Sequence, residues 1–298
     1  MKAHQRLIRE MKGLIPEPDE HLKREAARSF ADAHVIEISR AEAESVILEY
    51  EWVQNVGSSR HYYGLFFGPY LAGVTCFGIT AGTNAHASVC GKKYAHVVRT
   101  LTRGACVHWA DPPRISSDGR VHNGGAASYL ISRACKLMSE RGFHAFIAYA
   151  DPAAGEQGIV YRSSNWLYCG QTSATEEFRW TRDPIEDDDG RDWKDGEWHN
   201  CRRIHCYTRK RENRRLLRSL IHHGFAEDQG KTIRGGRKHP YIQHRTRSQQ
   251  RAEMIAEGFE FRMGHSKGRY VHFAGDKHLV RELREALKWK EEPYPSRT

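Results

Sequence analysis

The chain has 298 residues, which is long enough for one large domain or for one domain with a substantial extension. It contains no run of about 18 apolar residues, and its polar start MKAHQRLIREMKGLIPEP lacks the apolar segment of a secretory signal. These features exclude a membrane-spanning protein and predict a cytoplasmic one. The seven cysteines include no CxxC pair, which argues against a disulfide scaffold, and no metal-ligand set stands out.

The formal net charge of +10 is distributed very unevenly. Residues 201–298 carry 24 Lys and Arg against 11 Asp and Glu, a balance of +13. Residues 1–200 carry the remaining 23 against 26, a balance of −3. A basic segment beside a nearly neutral one is typical of proteins that bind a polyanion. A solvated charged surface is the simpler alternative.

The first half of the chain predicts alternating strands and helices. Residues 1–30 predict a polar helical lead, and AHVIEISRAEAESVILEYEW predicts a strand followed by a helix with apolar residues at intervals of three and four. YYGLFFGPYLAGVTCFG (62–78) predicts a β-hairpin that turns at Gly-Pro. TRGACVHWADPP (102–113) predicts a strand that two prolines end.

A glycine turn, a helix and a strand follow in RVHNGGAASYLISRACKLMSERGFHAFIAYAD, and the helix is expected to end at Arg141-Gly142. Asp151 ends the strand. After it, a helix is expected to start near residues 153–155. This helix continues into GIVYRSSNWLYCG, which begins at residue 158, and carries Tyr161. Asn165 is expected one turn later on the same helical face.

The acidic segment DPIEDDDGRDWKDGE (183–197) predicts the main boundary of the chain. It separates a core of residues 31–182 from a basic region of residues 183–298. A degenerate repeat over 204–242 and 242–273 is one interpretation of that region, although the spacings of the two copies differ and leave chance similarity open. The last strand and the amphipathic segment DKHLVRELREALKWK are expected to pack on the core.

This order of elements resembles the GNAT acyltransferase fold, in which two adjacent parallel strands separate and a donor lies in the gap. The resemblance implies an α+β fold: a GNAT-like central mixed β-sheet flanked by helices, with a basic C-terminal α/β extension. In that fold the glycine turn cradles a pyrophosphate at a helix N-terminus. The corresponding turn here is His122 to Ser128, with His122 where the family pattern has Gln or Arg.

A narrower resemblance combines several motifs in order: HYYGLFFG (61–68), the NGGAAS turn, ADP…GIVYRSSNWLYCGQT and KGRYVHF. Together they resemble the bacteriophage Mom proteins, which are GNAT-like and convert adenine in phage DNA to N6-(carbamoylmethyl)adenine. The resemblance covers residues from about 60 to 172 and 266–290. It implies a DNA-modifying transferase that protects phage DNA from host restriction. An acetyl-CoA-dependent N-acetyltransferase on a protein or small amine, and a non-catalytic nucleic-acid-binding protein, stay open as alternatives.

The resemblance also implies roles for individual side chains. Asp151 would accept a proton or orient the amine, Tyr161 would donate a proton, and His61 is a candidate base. Their structural alternatives are a turn residue, a core aromatic and a surface histidine. The residues expected to bind the donor are Asn123, Gly125, Ser128 and Asn165. A simpler reading makes Ser128 a first-turn residue and Asn165 a structural one.

Double-stranded DNA is the partner that the resemblance implies. The basic residues expected to contact its phosphates are Arg209, Arg214, Arg215, Arg237, Lys238, Arg245, Arg247, Lys267 and Arg269. Such contacts would offset the cost of extruding the adenine from the duplex. The donor stays open between a glycine-derived group, free or carried on tRNA or another carrier, and acetyl-CoA. A metal ion stays open as well.

Overall fold

A computed structural model describes residues 5–15, 17–79, 84–115, 120–122, 124–181, 198–200, 251–252, 255–256 and 258–295. The chain divides into two compact units, a core unit of Met1–Thr172 with Lys267–Thr298 and an inserted unit of Ser173–Ser266. The inserted unit begins at Ser173, ten residues before the boundary that the sequence predicted at 183. Residues after 266, which include the last strand and helix expected to pack on the core, belong to the core unit.

The described part of the core unit contains seven α-helices and nine strands. The helices are α1 Gln5–Lys12, α2 Glu20–Ala26, α3 Arg40–Tyr50, α4 Ala87–Cys90, α5 Ala126–Glu140, α6 Ile159–Ser163 and α7 Lys277–Glu285. The strands are β1 Ala33–Glu37, β2 Ser59–Phe67, β3 Tyr70–Gly78, β4 Val98–Cys106, β5 Arg114–Ile115, β6 Val121–His122, β7 Ala145–Ala150, β8 Leu167–Gln171 and β12 Gly268–Phe273. Within the described ranges, every helix is too short or too polar to cross a bilayer.

A seven-stranded mixed sheet forms the centre of the core unit, in the order β1-β2-β3-β4-β7-β12-β8. All neighbours in it are antiparallel except β4 and β7. That parallel pair is in register only from Val98 opposite Ala145 to Thr100 opposite Ile147. Beyond Thr100, β4 continues to Cys106 along β3, so a gap opens between β4 and the end of β7. The predicted α+β fold with a central mixed sheet is confirmed.

Helices cover both faces of the sheet, because alternate residues of each strand point to opposite faces. On one face α3 buries Val46 and Ile47 in a cluster that contains Tyr62. On the other face α5 buries Ile131, Cys135 and Met138 in a cluster that contains Tyr63 and Phe146. Each fully buried apolar side chain of this size stabilises the fold by about 1.5–3 kcal/mol. These two clusters therefore fix the strands that border the gap.

The two ends of α5 are set by glycine. Gly124 and Gly125 have φ angles of 83° and 106°, which L side chains rarely adopt, and they turn the chain into the helix. The helix ends before Gly142, whose φ is 86°, as the Arg-Gly sequence predicts. α3 begins with a reciprocal pair of hydrogen bonds between Ser39 and Glu42. The N-termini of both helices are thus fixed by local sequence.

The inserted unit contains β9 Glu176–Trp180, β10 His199–Asn200 and β11 Phe259–Met263, which form a three-stranded antiparallel sheet. The guanidinium groups of Arg179 and Arg262 lie 4.8 Å and 4.1 Å from the ring centre of Trp198. The first copy of the predicted repeat lies outside the described residues. The end of the second copy is split between the units, with β11 in the inserted unit and β12 in the central sheet.

Candidate active site

The gap between β4 and β7 is bordered by three segments: the loop after α3, the end of β4, and the chain that leads from β7 into α6. Glu156 joins two of them. Its Oε2 accepts the backbone N–H of Asp151 at 2.8 Å, and its Oε1 accepts the indole N–H of Trp52 at 3.0 Å. We call Glu51, Trp52, Arg103, Asp151, Glu156 and Tyr161 the Glu156 cluster.

Glu51 fixes the loop after α3. Its side chain is 5% exposed, and it accepts the N–H groups of Val53 and Gln54 at 2.7 Å and 3.1 Å. Arg103 on β4 lies 4.0 Å from its carboxylate and donates to the carbonyl of Asn55. Burial raises the pKa of Glu51 although Arg103 and the two N–H donors oppose the shift. The cluster therefore contains a carboxyl group, that of Glu51, which burial makes harder to ionise than an exposed one.

Tyr161 lies on α6 and is 9% exposed. Its ring packs against Trp166 and Tyr270, at centroid distances of 5.2 Å and 4.7 Å. Burial, with smaller contributions from Glu156 and Tyr270, raises its pKa well above the ordinary value. The phenol therefore keeps its proton at neutral pH and can act as a donor.

The turn into α6 depends on Gly158, which has a φ of 68°. A Cβ at this position would collide with the hydroxyl of Tyr270. Glycine thus allows Tyr270 to approach the backbone immediately before α6, beside the ring of Tyr161. The contact between Gly158 and Tyr270 therefore fixes the start of α6, the short helix that carries Tyr161.

Asp151 directly follows β7, where the sequence predicted it. Its carbonyl accepts the N–H groups of Ala154 and Glu156, so it also shapes the turn. Its carboxylate pairs with the ammonium of Lys267 at 2.7 Å. Lys267 is one of the residues predicted to contact DNA, and in the structure it makes this ion pair. The backbone N–H of Asp151 donates to Glu156, and the charge of Glu156 contributes to the raised pKa of Tyr161.

The structure does not bring His61 to this end of the sheet. Its ring lies 5.2 Å from that of Phe143, near the C-terminal end of α5. The six residues of β7, at about 3.3 Å each, put roughly 20 Å between Phe143 and Asp151. Burial, followed by the charges of Arg141 and Arg99, lowers the pKa of His61. The geometry gives its expected role as a base in the same site no support.

The expectation that Asn165 follows Tyr161 on one helical face is wrong. α6 ends at Ser163, and Asn165 has a φ of 56°, in the left-handed region. The N–H of Trp166 then donates to the carbonyl of Tyr161 and closes the turn. The helix is shorter than predicted because a 3₁₀ helix, Pro152–Ala154, and a turn at Gly158 take up the preceding residues.

An open groove of about 380 Å³ lies between the first half of α5 and the end of α6. Its lining residues are Phe30, Gly125, Ser128, Tyr129, Ser132, Arg133 and Ser163. Two residues predicted to bind the donor, Gly125 and Ser128, are thus brought together. The Ser128 hydroxyl donates to the carbonyl of Gly125 at 3.0 Å, which is a first-turn contact. Asn123 lies outside the described residues.

The N-terminus of α5 does not fit the pyrophosphate of coenzyme A. Asp111 Oδ1 accepts the N–H of Ala126 at 2.9 Å, so a carboxylate of the chain already occupies the position that favours an anion. Asp111 is paired with Arg9 at 3.0 Å and Arg114 at 3.4 Å. Arg114 is buried and donates to the carbonyls of Ala27, Ala110 and Gly124. Further negative charge here would meet Asp111.

Of the nine predicted DNA contacts, only Lys267 and Arg269 lie within the described residues. Arg269 stacks on the ring of Trp289 at 4.9 Å, and its buried Nε makes no hydrogen bond. Arg209, Arg214, Arg215, Arg237, Lys238, Arg245 and Arg247 lie outside. In the described part of the chain, no group of three or more His, Cys, Asp or Glu side chains is placed to hold a metal ion.

The residues of this region that were not predicted from the sequence include Glu51, Trp52, Glu156 and Asp111. Trp52 and Glu156 are 104 positions apart, so no local pattern links them. One available signal was a second carboxylate five residues after Asp151, in DPAAGE. The other was Asp111 before two prolines, in the segment that follows β4.

Comparison with known proteins gives one family match. A model of the Mom protein family matches residues 32–243. Comparison with curated proteins finds no relative. The chain is similar to a Bacillus subtilis acetyltransferase in complex with CoA, with 10% identity over 82% of this chain and 98% of that chain and a TM-score of 0.33. It is also similar to an IAA acetyltransferase from Bacillus cereus ATCC 14579, with 11% identity over 52% and 90% and a TM-score of 0.28.

Proposed function

We propose, from the premise that this chain belongs to the Mom protein family, that it transfers a carbamoylmethyl group to N6 of adenine in double-stranded DNA. Such a modification would protect phage DNA from host restriction. The observation that carries the proposal is the Glu156 cluster at the point where β4 and β7 separate. In this cluster the backbone N–H of Asp151 donates to Glu156, and Tyr161 lies on the helix that follows, which supports roles for this carboxylate and this phenol.

The reaction requires a base, because the lone pair of N6 is delocalised into the adenine ring. With a glycine-derived donor, N6 forms a bond to the activated carbonyl carbon, while the bond from that carbon to the oxygen of the carrier or activating group breaks. Asp151 takes the proton that N6 loses, and Tyr161 gives a proton to the departing oxygen. The glycyl amide N6–CO–CH2–NH2 contains the same atoms as the product N6–CH2–CO–NH2, so an isomerisation that needs no further reactant completes the CH2 linkage.

The substrate must reach the site as an extruded base, since N6 is paired and stacked inside a duplex. Extrusion costs a few kcal/mol. Phosphate contacts from the basic residues between 201 and 298 would offset that cost, and they would weaken as salt is added. Lys267 holds Asp151 rather than a phosphate in this proposal.

The donor that we propose is glycine-derived, either free or on a carrier such as tRNA, because glycine supplies the atoms of the carbamoylmethyl product. The acetyl-CoA alternative is disfavoured by Asp111 at the N-terminus of α5. Isothermal titration tests this directly. We expect no binding of acetyl-CoA at millimolar concentration, and a micromolar dissociation constant would contradict the assignment.

The function itself is tested by digesting total DNA from cells that express this chain and measuring the nucleosides by mass spectrometry. We expect an adenosine species heavier by one carbamoylmethyl unit, absent from cells with an empty vector. Its absence, with soluble protein present and DNA bound, would favour the non-catalytic nucleic-acid-binding alternative.

A further inference from the structure

We infer that Trp52 is the platform on which the extruded adenine stacks, and that Glu156 is the positioning residue that holds this indole beside Asp151. The inference rests on the proposed function, because it identifies the stacked ring as the substrate base. It adds a specificity-determining residue from the loop after α3, outside the motifs that carry the family resemblance.

The indole of Trp52 is anchored by one edge. Its N–H donates to Glu156 Oε1 at 3.0 Å, and the other oxygen of the same carboxylate accepts the N–H of Asp151 at 2.8 Å. The ring and the proposed base are therefore tied to one rigid group. An aromatic ring that is held by its polar edge keeps its faces for packing.

Trp52 differs from four other tryptophans in the described part of the chain, because no aromatic ring or guanidinium group contacts its faces. Trp109, Trp166, Trp198 and Trp289 each contact an aromatic ring or a guanidinium group. Among the described residues, no such group packs on Trp52, which is only partly buried. Extruded and single-stranded bases are commonly bound by stacking on aromatic rings whose faces no other ring occupies.

The loop that carries Trp52 is held in place before any ligand binds. Glu51 accepts two N–H groups of the loop, and Arg103 joins Asn55 to β4. A preorganised platform loses little conformational freedom when a base stacks on it. The expected consequence is that Trp52 affects capture of the base more than binding of the DNA backbone.

The test uses the full-length protein and a single-stranded oligothymidine that contains one 2-aminopurine, a fluorescent adenine analogue that stacking on indole quenches. Fluorescence anisotropy of an end label measures affinity in the same samples. The variants are Trp52→Ala, Trp52→Phe and Glu156→Ala. Trp198→Ala is the matched control, because it removes an indole from the inserted unit. Thermal melting establishes that each variant is folded.

We expect Trp52→Ala and Glu156→Ala to lose at least fivefold of the 2-aminopurine quenching while affinity changes less than twofold. Trp52→Phe should keep part of the quenching, and Trp198→Ala should quench like the parent protein. In expressing cells, Trp52→Ala should lower modified adenosine at least tenfold. Parent-like quenching or parent-like modification in Trp52→Ala would overturn the inference. If Trp52→Ala loses the quenching but the parent protein makes no modified adenosine, the inference is supported and the proposed function is rejected.

Discussion

The two ends of the β4–β7 pair differ in the charge of the side chains that gather there. At the open end, where the strands separate, the Glu156 cluster gathers three acidic residues around Trp52 and Tyr161. At the paired end, His61, Arg99 and Arg141 gather around Phe143, with the Arg99 guanidinium 3.8 Å from its ring centre. β4 and β7 are paired from Val98 to Thr100 and separate beyond that point, toward the open end. Titratable groups lie at both ends, so strand separation rather than their presence is the reason to propose the open end as the site.

The largest effect is expected from removing the proposed acid and base at the open end. Asp151→Asn and Tyr161→Phe should each lower modified adenosine by about 100-fold or more, since general acid–base catalysis contributes 10²–10⁴-fold. DNA affinity, measured by anisotropy, should stay within about twofold because neither side chain is assigned to phosphate. Normal modification in either variant would remove that residue from the mechanism.

A smaller loss is expected when the connection between the elements is weakened. Glu156→Gln leaves an oxygen for one of the two N–H groups of Asp151 and Trp52, but its NH2 cannot accept the other. Misplacement on the ångström scale costs up to about 100-fold, so we expect a loss of roughly 10-fold in modified adenosine. Nucleoside mass spectrometry measures it, and a parent-like level would show that the carboxylate does not position the site.

The two ends should also respond to pH in opposite directions. Burial raises the pKa of Glu51, so the folded state binds its proton more tightly than the unfolded state, and ionisation costs stability as pH rises above about 4.5. Glu51→Gln should therefore gain stability relative to the parent protein between pH 4 and pH 7. Urea unfolding at each pH measures the difference, and a constant difference would contradict the assignment.

At the paired end, burial lowers the pKa of His61, so the folded state disfavours its protonated form. The parent protein should lose stability as pH falls below about 6.5, and His61→Gln should lose less over the same range. Its modified adenosine should stay within about threefold of the parent level, the smallest effect of the series. A 100-fold loss with a normal melting temperature would return His61 to the chemistry.

Short-range signals account for much of the fold that could be predicted. The Gly-Pro turn gave the hairpin of β2 and β3, Arg141-Gly142 gave the end of α5, and the apolar run before Asp151 gave β7. Each of these depends on fewer than about 20 consecutive residues, for which periodicity and turn chemistry are informative.

The remaining features depend on contacts between distant residues. Lys267 pairs with Asp151 although the whole inserted unit separates them in the sequence. Asp111, in the segment after β4, hydrogen-bonds to the N-terminus of α5. The length of α6 was predicted wrongly because its hydrophobic spacing did not reveal the left-handed turn at Asn165. Local sequence patterns carry no information on contacts between residues far apart in the chain, so they could not predict that Lys267 pairs with Asp151.

The position of β12 bears on how the protein is made. This strand lies between β7 and β8, but the ribosome completes it more than 90 residues after β8. Until Phe273 leaves the exit tunnel, β7 and β8 each present a bare edge that another nascent chain can pair with. A messenger truncated within the inserted unit would yield a polypeptide with that edge permanently uncovered, and such a product is a natural target for chaperones and proteases.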